Sequence, residues 1–132
     1  MKYLLDTDTC IYALKQRPRV LEKLLSKSRS DVGLSVISEA ELRTGAAKSA
    51  SPIRTEHLVD AFLRPLEIAP FTSEDAVSYA RVRAHLERAG TPIGPLDTLI
   101  AAQAICRKLV LVTNNEREFG RVPGLRVENW SK

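Results

Sequence analysis

The chain alternates short apolar runs with longer stretches in which apolar residues recur at helical spacing. Four runs are rich in branched residues and bounded by polar or turn-forming residues, which predicts β-strands. They cover Tyr3 to Leu5, Val32 to Val36, Leu66 to Ala69 and Leu109 to Thr113. The last run is apolar up to Thr113, as in a strand that is buried on both faces of a parallel sheet.

Helices are predicted between these runs, because apolar residues three and four positions apart form one face of a helix. The first covers Thr9 to Lys15, with Asp8 or Thr9 as its N-cap. The third begins near Ser38, which stands three residues before Glu41 as in a capping box. The others cover Val20 to Leu25, Glu56 to Leu63, the stretch from Thr72 or Ser73 to the terminator Gly90, and Leu96 to Arg107. In the helix before Gly90, the residues expected to face inward are Ala76, Val77, Ala80, Val82 or Arg83, Ala84 and Leu86.

Strands separated by helices predict an α/β domain around a mostly parallel sheet. The 132 residues fit a single domain over residues 1–132, because no repeat or linker divides them. Asp6 interrupts the first apolar stretch before a signal peptide could form, and no apolar run approaches the ~20 residues of a membrane span. We therefore expect a cytoplasmic protein without a membrane segment, with Cys10 and Cys106 reduced.

Carboxylates follow the predicted strands, at the edge where parallel sheets place their functional residues. Asp6 follows the first strand, Glu41 lies in the helix after the second, and Asp97 opens the helix before the last. Residues 114–118, which include Asn115, follow that last strand. Clustered carboxylates repel one another and usually hold a divalent cation, and oxygen ligands suit Mg²⁺ or Mn²⁺. The net charge of +4 allows an anionic partner such as nucleic acid without requiring one.

Each carboxylate also has a structural explanation. Asp97 at a helix start is favoured by the helix dipole, and Glu41 can serve as the capping-box partner of Ser38. Asp6 is the least explained, because a carboxylate is costly to bury at the end of a strand. The functional interpretation depends on the coincidence that all three reach the same edge of the predicted sheet.

The stretch from Asp6 to Asp8 also fits the D-x-D motif of haloacid-dehalogenase-type phosphatases. Asp6 would then be a phosphoryl-accepting nucleophile and Asp8 a general acid. That family requires two aspartates after a late strand, where this chain has Asn114 and Asn115, and a larger domain. The phosphatase remains an alternative at this stage.

Four segments in order resemble the PIN-domain ribonucleases that act as VapC toxins of bacterial toxin–antitoxin modules. The segments are LLDTDTCIYALK, SVISEAELRTGA, GTPIGPLDTLIAAQA and LVLVTNNEREFGRVPGLRVENW, which together span most of the chain. The E-L-x-x-G segment from Glu41 to Gly45 and the P-x-D-x-x-I-A segment from Pro95 to Ala101 contribute most of the resemblance.

The resemblance implies a three-layer α/β/α domain that uses Mg²⁺ or Mn²⁺ to hydrolyse RNA phosphodiesters. Carried over to this sequence, it makes Asp6 and Asp97 the principal metal ligands and Glu41 the third acidic member. Family members often place another acidic residue where this chain has Asn115, with Glu116 and Glu118 close by, so the number of metal ions stays open.

The resemblance further implies transfer RNA, cut in the anticodon loop, as the leading substrate. It also implies a homodimer and a VapB-type antitoxin whose C-terminal arm covers the cleft. A second alternative is a catalytically silent PIN module that binds RNA or a partner, for which Asn115 in place of an acidic residue would be the signature.

Overall fold

Five short strands form one parallel sheet. The computed structural model describes residues 1–132. The strands are β1 (Tyr3–Leu5), β2 (Val32–Ser35), β3 (Glu67–Ala69), β4 (Val110–Val112) and β5 (Arg126–Glu128). Their spatial order is β3-β2-β1-β4-β5, and every neighbouring pair is parallel. The predicted α/β class is confirmed, and the sheet is entirely rather than mostly parallel.

Seven α-helices connect the strands. They are α1 (Thr7–Leu14), α2 (Pro18–Leu25), α3 (Val36–Lys48), α4 (Pro52–Leu63), α5 (Ser73–Arg88), α6 (Pro95–Cys106) and α7 (Glu116–Phe119), and a single 3₁₀ turn (Arg29–Asp31) precedes β2. None of these helices is both long enough and apolar enough to cross a membrane. Cys10 and Cys106 are both free thiols.

The two faces of the sheet carry separate hydrophobic cores, which gives the expected three layers. Leu4 and Leu5 are consecutive residues of β1 and point to opposite faces, as strand geometry requires. Leu4 joins the core under α5 and α6, together with residues such as Leu86 and Ile100. Leu5 joins the core under α1, α3 and α4, which also buries Trp130, whose ring meets that of Tyr3 edge to face at a centroid distance of 5.4 Å.

The strand order reverses between β1 and β4. From the central β1 the chain moves outward through β2 to β3, and it then crosses back to form β4 and β5 on the other side. In parallel sheets, a crevice opens at the carboxyl ends of the two strands that flank such a reversal. Here the flanking residues are Asp6 after β1 and Thr113 after β4, and the Asp6 backbone N–H donates to the Val112 carbonyl at 3.0 Å.

The inward face of α5 differs from the prediction. Ala76, Val77 and Ala80 are exposed, Val77 by 53%, and Asp75 is buried instead, whereas Val82 and Leu86 are buried as predicted. The apolar pattern was misleading because the carboxylate of Asp75 occupies a position on the buried face of α5.

The buried Asp75 has a complete set of partners. One Asp75 oxygen accepts from Arg107 Nη2 at 2.9 Å and from the Thr72 backbone N–H at 2.8 Å, which completes a capping box with Thr72. Arg107 directly follows α6, so this ion pair ties the start of α5 to the end of α6. Thr72 is therefore the cap, as one of the two predicted options.

The amino-acid pattern does not predict α7 and β5. Both are short, and β5 (Arg-Val-Glu) lies at the sheet edge, where polar side chains are tolerated. A three-residue strand with one apolar residue carries no periodic signal that distinguishes it from a loop.

Candidate active site

Asp6 lies at the carboxyl end of β1 and caps α1. Its Oδ1 accepts from the Thr9 backbone N–H at 2.8 Å, and the residue is 3% exposed. The prediction that Asp8 or Thr9 caps this helix is wrong, because Asp6 holds the extended conformation of the N-cap and Asp8 is an exposed residue of the first turn. Burial raises the pKa of Asp6 above its ordinary value, although hydrogen bonds from Thr113 and Thr9 lower it in part.

Glu41 lies near the middle of α3 rather than in its first turn. The helix begins at Val36 with Ser35 as its N-cap, because Ser35 Oγ accepts from the Ile37 backbone N–H at 3.0 Å. The predicted Ser38–Glu41 capping box is therefore wrong. Ser38 is instead fully buried inside the helix, one turn before Glu41.

Asp97 occupies the third position of α6, where the helix dipole favours a carboxylate. The N-cap is Gly94, and no side chain caps the helix, so Asp97 is not itself the cap. A methyl group added at Gly94 would lie 3.6 Å from Asp97 Oδ2 and 3.8 Å from Glu118 Oε1. The missing side chain of Gly94 thus leaves space beside two carboxylates.

Asn115 is linked to the site through Glu118. Asn115 Nδ2 donates to Glu118 Oε2 at 2.6 Å, and the Gly94 backbone N–H donates to the other oxygen, Glu118 Oε1, at 2.9 Å. Sequence reasoning mentioned Glu118 only as a neighbour of Asn115. Its position three residues after Asn115 within α7 was the available signal, because that spacing brings two side chains together on a helix.

The electrostatics of Asp97 show that the carboxylates share one region. Partial burial and then the charges of Glu118, Asp6, Glu41 and Asp8, in that order, raise the pKa of Asp97 to about 6. Like charges act in this way only when they lie close together in a poorly solvated place. The structure therefore brings together the three predicted acidic residues and adds Glu118.

No cationic side chain neutralises this carboxylate cluster, which we define as Asp6, Glu41, Asp97 and Glu118. The six ion pairs of the molecule involve other acidic residues. The ligand atoms that the cluster offers are all carboxylate oxygens, which Mg²⁺ and Mn²⁺ prefer. The residues therefore fit a divalent cation. No three His, Cys, Asp or Glu side chains are already arranged to hold a metal ion.

Comparisons with known proteins agree with this geometry. The PIN-domain family model matches residues 3–125. The tRNA(fMet)-specific endonuclease VapC of Salmonella typhimurium is 42% identical over 98% of both chains. The crystal structure of DNA-bound VapBC from Salmonella typhimurium superimposes with a TM-score of 0.94 at 42% identity, over 98% of both chains. The structure of VapBC2 from Rickettsia felis, bound to a DNA fragment from its promoter, superimposes with a TM-score of 0.91 at 38% identity, over 98% of this chain and 99% of that one.

Proposed function

This chain belongs to the VapC family of PIN-domain endoribonuclease toxins, and we propose that it cleaves transfer RNA with a divalent cation held by Asp6, Asp97 and Glu41. The observation that carries the proposal is the charge of the carboxylate cluster, which raises the pKa of Asp97 to about 6 and has no cationic side chain beside it. PIN-domain nucleases are typically metal-dependent, and Mg²⁺ or Mn²⁺ suits these ligands.

The chemistry divides between the cation and the protein. When bound, Mg²⁺ or Mn²⁺ activates water as a nucleophile and offsets charge on the phosphate oxygens. Asp6 is immobilised by its cap hydrogen bond, and Asp97 is fixed in the first turn of α6. Glu118 is held at both oxygens, and we expect it to be a fourth acidic member of the site. No side chain is required as a nucleophile, so Asp6 stays unmodified.

The alternatives receive less support. The full-length relatives named above are a nuclease and VapBC complexes, none of them a phosphatase. A silent binding module would not require a cluster of unneutralised carboxylates, which lowers stability unless a cation is bound.

Two arginines are suited to hold the RNA backbone near the cluster. The Arg17 guanidinium stacks 4.3 Å from the Tyr12 ring centroid, and the Tyr12 hydroxyl accepts from Asn114 Nδ2 at 2.7 Å. Arg121 donates to the Pro92 carbonyl at 3.0 Å, in the loop before Asp97. Neither forms an ion pair with an acidic residue, so both are free to bind phosphate.

A substitution of Arg17 tests this role. Arg17→Ala should raise the KM for RNA about tenfold with little change in kcat, and it should reduce the salt dependence of binding by about one phosphate contact. An unchanged salt slope would remove Arg17 from the RNA surface.

The substrate and partners follow from the relatives. The Salmonella relative is named for initiator transfer RNA, and we propose the anticodon loop of a transfer RNA as the substrate here, because unpaired bases can be recognised by a protein. Because transfer RNA is a cytoplasmic substrate, we also propose a cytoplasmic location. The similar structures are VapBC complexes, so we propose a VapB-type antitoxin for this chain.

We also propose a homodimer, which light scattering would detect. Leu25, Ile53 and Leu58 are exposed apolar residues available to the dimer interface or to the antitoxin interface.

The deciding experiment measures cleavage of purified transfer RNA by the free toxin. Cleavage should require Mg²⁺ or Mn²⁺, stop with EDTA and fall about a hundredfold or more in Asp6→Asn. Asp60→Asn is the matched control, because Asp60 forms an exposed ion pair with Arg43. Cleavage that persists in EDTA, or in folded Asp6→Asn, would contradict the metal site. Parent protein that binds RNA without cutting it would support the silent module.

A further inference from the structure

Two hydroxyl groups lie between α1 and α3 beside the carboxylate cluster. Thr7 Oγ1, in the first residue of α1, is 2.6 Å from Glu41 Oε1 and 3.0 Å from Ser38 Oγ. Thr7 is 31 positions from Ser38 and 34 positions from Glu41 along the chain, so the fold and not the local sequence brings α1 and α3 together here.

The direction of these hydrogen bonds follows from the number of protons. A threonine hydroxyl has one proton, so Thr7 can donate to only one of its two neighbours. An ionised Glu41 carboxylate can only accept, and the shorter distance is the one expected for a hydroxyl that donates to a charged oxygen. Thr7 therefore donates to Glu41, so its 3.0 Å contact with Ser38 is a hydrogen bond only if the Ser38 hydroxyl donates to Thr7.

The two hydroxyl groups have few other options. Ser38 is completely buried, and Thr7 is the one hydrogen-bond partner of its side chain. Glu41 forms no ion pair, and Thr7 is the one donor to its carboxylate. A buried hydroxyl without a partner is unfavourable, so this arrangement satisfies Ser38 and orients Glu41 at the same time.

We propose that Ser38 and Thr7 are positioning residues of the active site, which hold the Glu41 carboxylate in the cluster through two consecutive hydrogen bonds. The proposal rests on the proposed function, because it assigns Glu41 a ligand role that needs a fixed side chain. Groups that orient a metal ligand commonly change metal affinity by about 10–100-fold when they are removed.

The test compares threonine-to-valine substitutions at two positions. Thr7→Val keeps the shape of the side chain but removes the proton donor, and it should weaken Mn²⁺ binding, measured by calorimetry without RNA, about tenfold or more. Thr7→Ser restores the hydroxyl and should recover most of that affinity. Thr44→Val is the matched control, because Thr44 is exposed on α3 and donates only to the Ala40 carbonyl of its own helix.

Further measurements separate positioning from folding. Cleavage of transfer RNA should fall in parallel with Mn²⁺ affinity in Thr7→Val and be partly restored by raised Mn²⁺, whereas a folding defect would not respond to the metal. Ser38→Ala removes the distal donor and should weaken Mn²⁺ binding a few-fold. If Thr7→Val fails to fold, the Mn²⁺ affinity of Ser38→Ala tests the positioning role in its place.

The possible failures are distinguishable. If the parent protein neither binds Mn²⁺ nor cuts RNA, the proposed function is wrong. If the parent is active and Thr7→Val equals it, or Thr7→Ser is as impaired as Thr7→Val, the positioning role alone is overturned. Ser38→Ala with the Mn²⁺ affinity of the parent would likewise exclude the two-bond chain.

Discussion

The two ends of α6 carry acidic sites built on opposite rules. At the first turn, Asp97 lies among other carboxylates, and no cationic side chain forms an ion pair with it. At the far end, about 15 Å away along the helix axis, Arg107 neutralises the buried carboxylate of Asp75. Asp75 is fully buried and Asp97 only partly, so burial alone does not identify a functional acid. The difference lies in whether the protein itself supplies the opposite charge.

The largest expected effect comes from removing the charge at the first turn. Asp97→Asn should reduce RNA cleavage about a hundredfold or more, because a principal metal ligand is lost. Its free energy of unfolding without metal should stay equal or rise, since the repulsion with Glu118 and Asp6 is relieved. Cleavage assays with urea denaturation in EDTA measure both. A variant that keeps its activity, or unfolds more easily, would place Asp97 among the structural residues.

Substitution of Asp75, near the other end of α6, should lower stability and leave RNA cleavage largely unchanged. Asp75→Asn leaves Arg107 without its carboxylate and weakens the capping box, which should lower the free energy of unfolding by about 2–3 kcal/mol. Activity per folded molecule should change little below the unfolding temperature. The control Asp60→Asn breaks an exposed ion pair and should cost about 0.5 kcal/mol or less. Equal losses in the two variants would show that burial adds nothing to the Asp75 pair.

The smallest and most specific expected effect is on the pH dependence of stability, to which Asp75 and Asp97 should contribute with opposite signs. Burial raises the pKa of Asp75, but hydrogen bonds from Arg107 and Thr72 outweigh it and hold the pKa below its ordinary value. The stability that Asp75 contributes is therefore present above about pH 4 and is lost as the pH falls further. Asp97 has a pKa raised from 3.8 to about 6, so its ionisation disfavours the metal-free folded state as the pH rises through that interval.

Urea denaturation in EDTA from pH 3 to pH 7 measures these two signs. Between pH 4 and 6, the parent should lose about 1–2 kcal/mol of unfolding free energy relative to Asp97→Asn. This range already allows for the partial solvent screening of Asp97. The difference between the parent and Asp75→Asn should move against the parent only below about pH 4. Curves that shift in the same direction would refute the contrast between the two ends of α6.

The strand pattern was sufficient to predict the region of the fold in which Asp6, Glu41 and Asp97 lie, whereas their role as metal ligands stays a prediction. Parallel strands end at one edge, so Asp6 and Asp97 could be placed there from the strand pattern, and Glu41 from the helix that follows. It was not sufficient to assign the local role of each residue. Asp6 was the least explained carboxylate, yet it is the cap of α1, because the side chain one residue after the strand can reach the Thr9 backbone N–H.

The errors occurred where a tertiary contact overrides a local pattern. Ser38 and Glu41 have capping-box spacing, but the helix starts earlier, at Val36, and Ser38 reaches across to Thr7. Asp75 was missed because its partner, Arg107, is 32 residues away in the sequence. Such long-range partners leave no periodic trace in the chain.

The contact of Asp6 and Thr9 with Val112 has a consequence for when the enzyme can first act. The Thr9 hydroxyl and the Val112 carbonyl that it contacts are separated by 103 residues of chain. During synthesis on a ribosome, the Asp6 segment is made long before the strand that it lies beside, and Asp97 and Glu118 also emerge late. A growing chain therefore contains Asp6 without the rest of the carboxylate cluster. The carboxylate cluster is therefore complete only after α7, which carries Glu118, has been made.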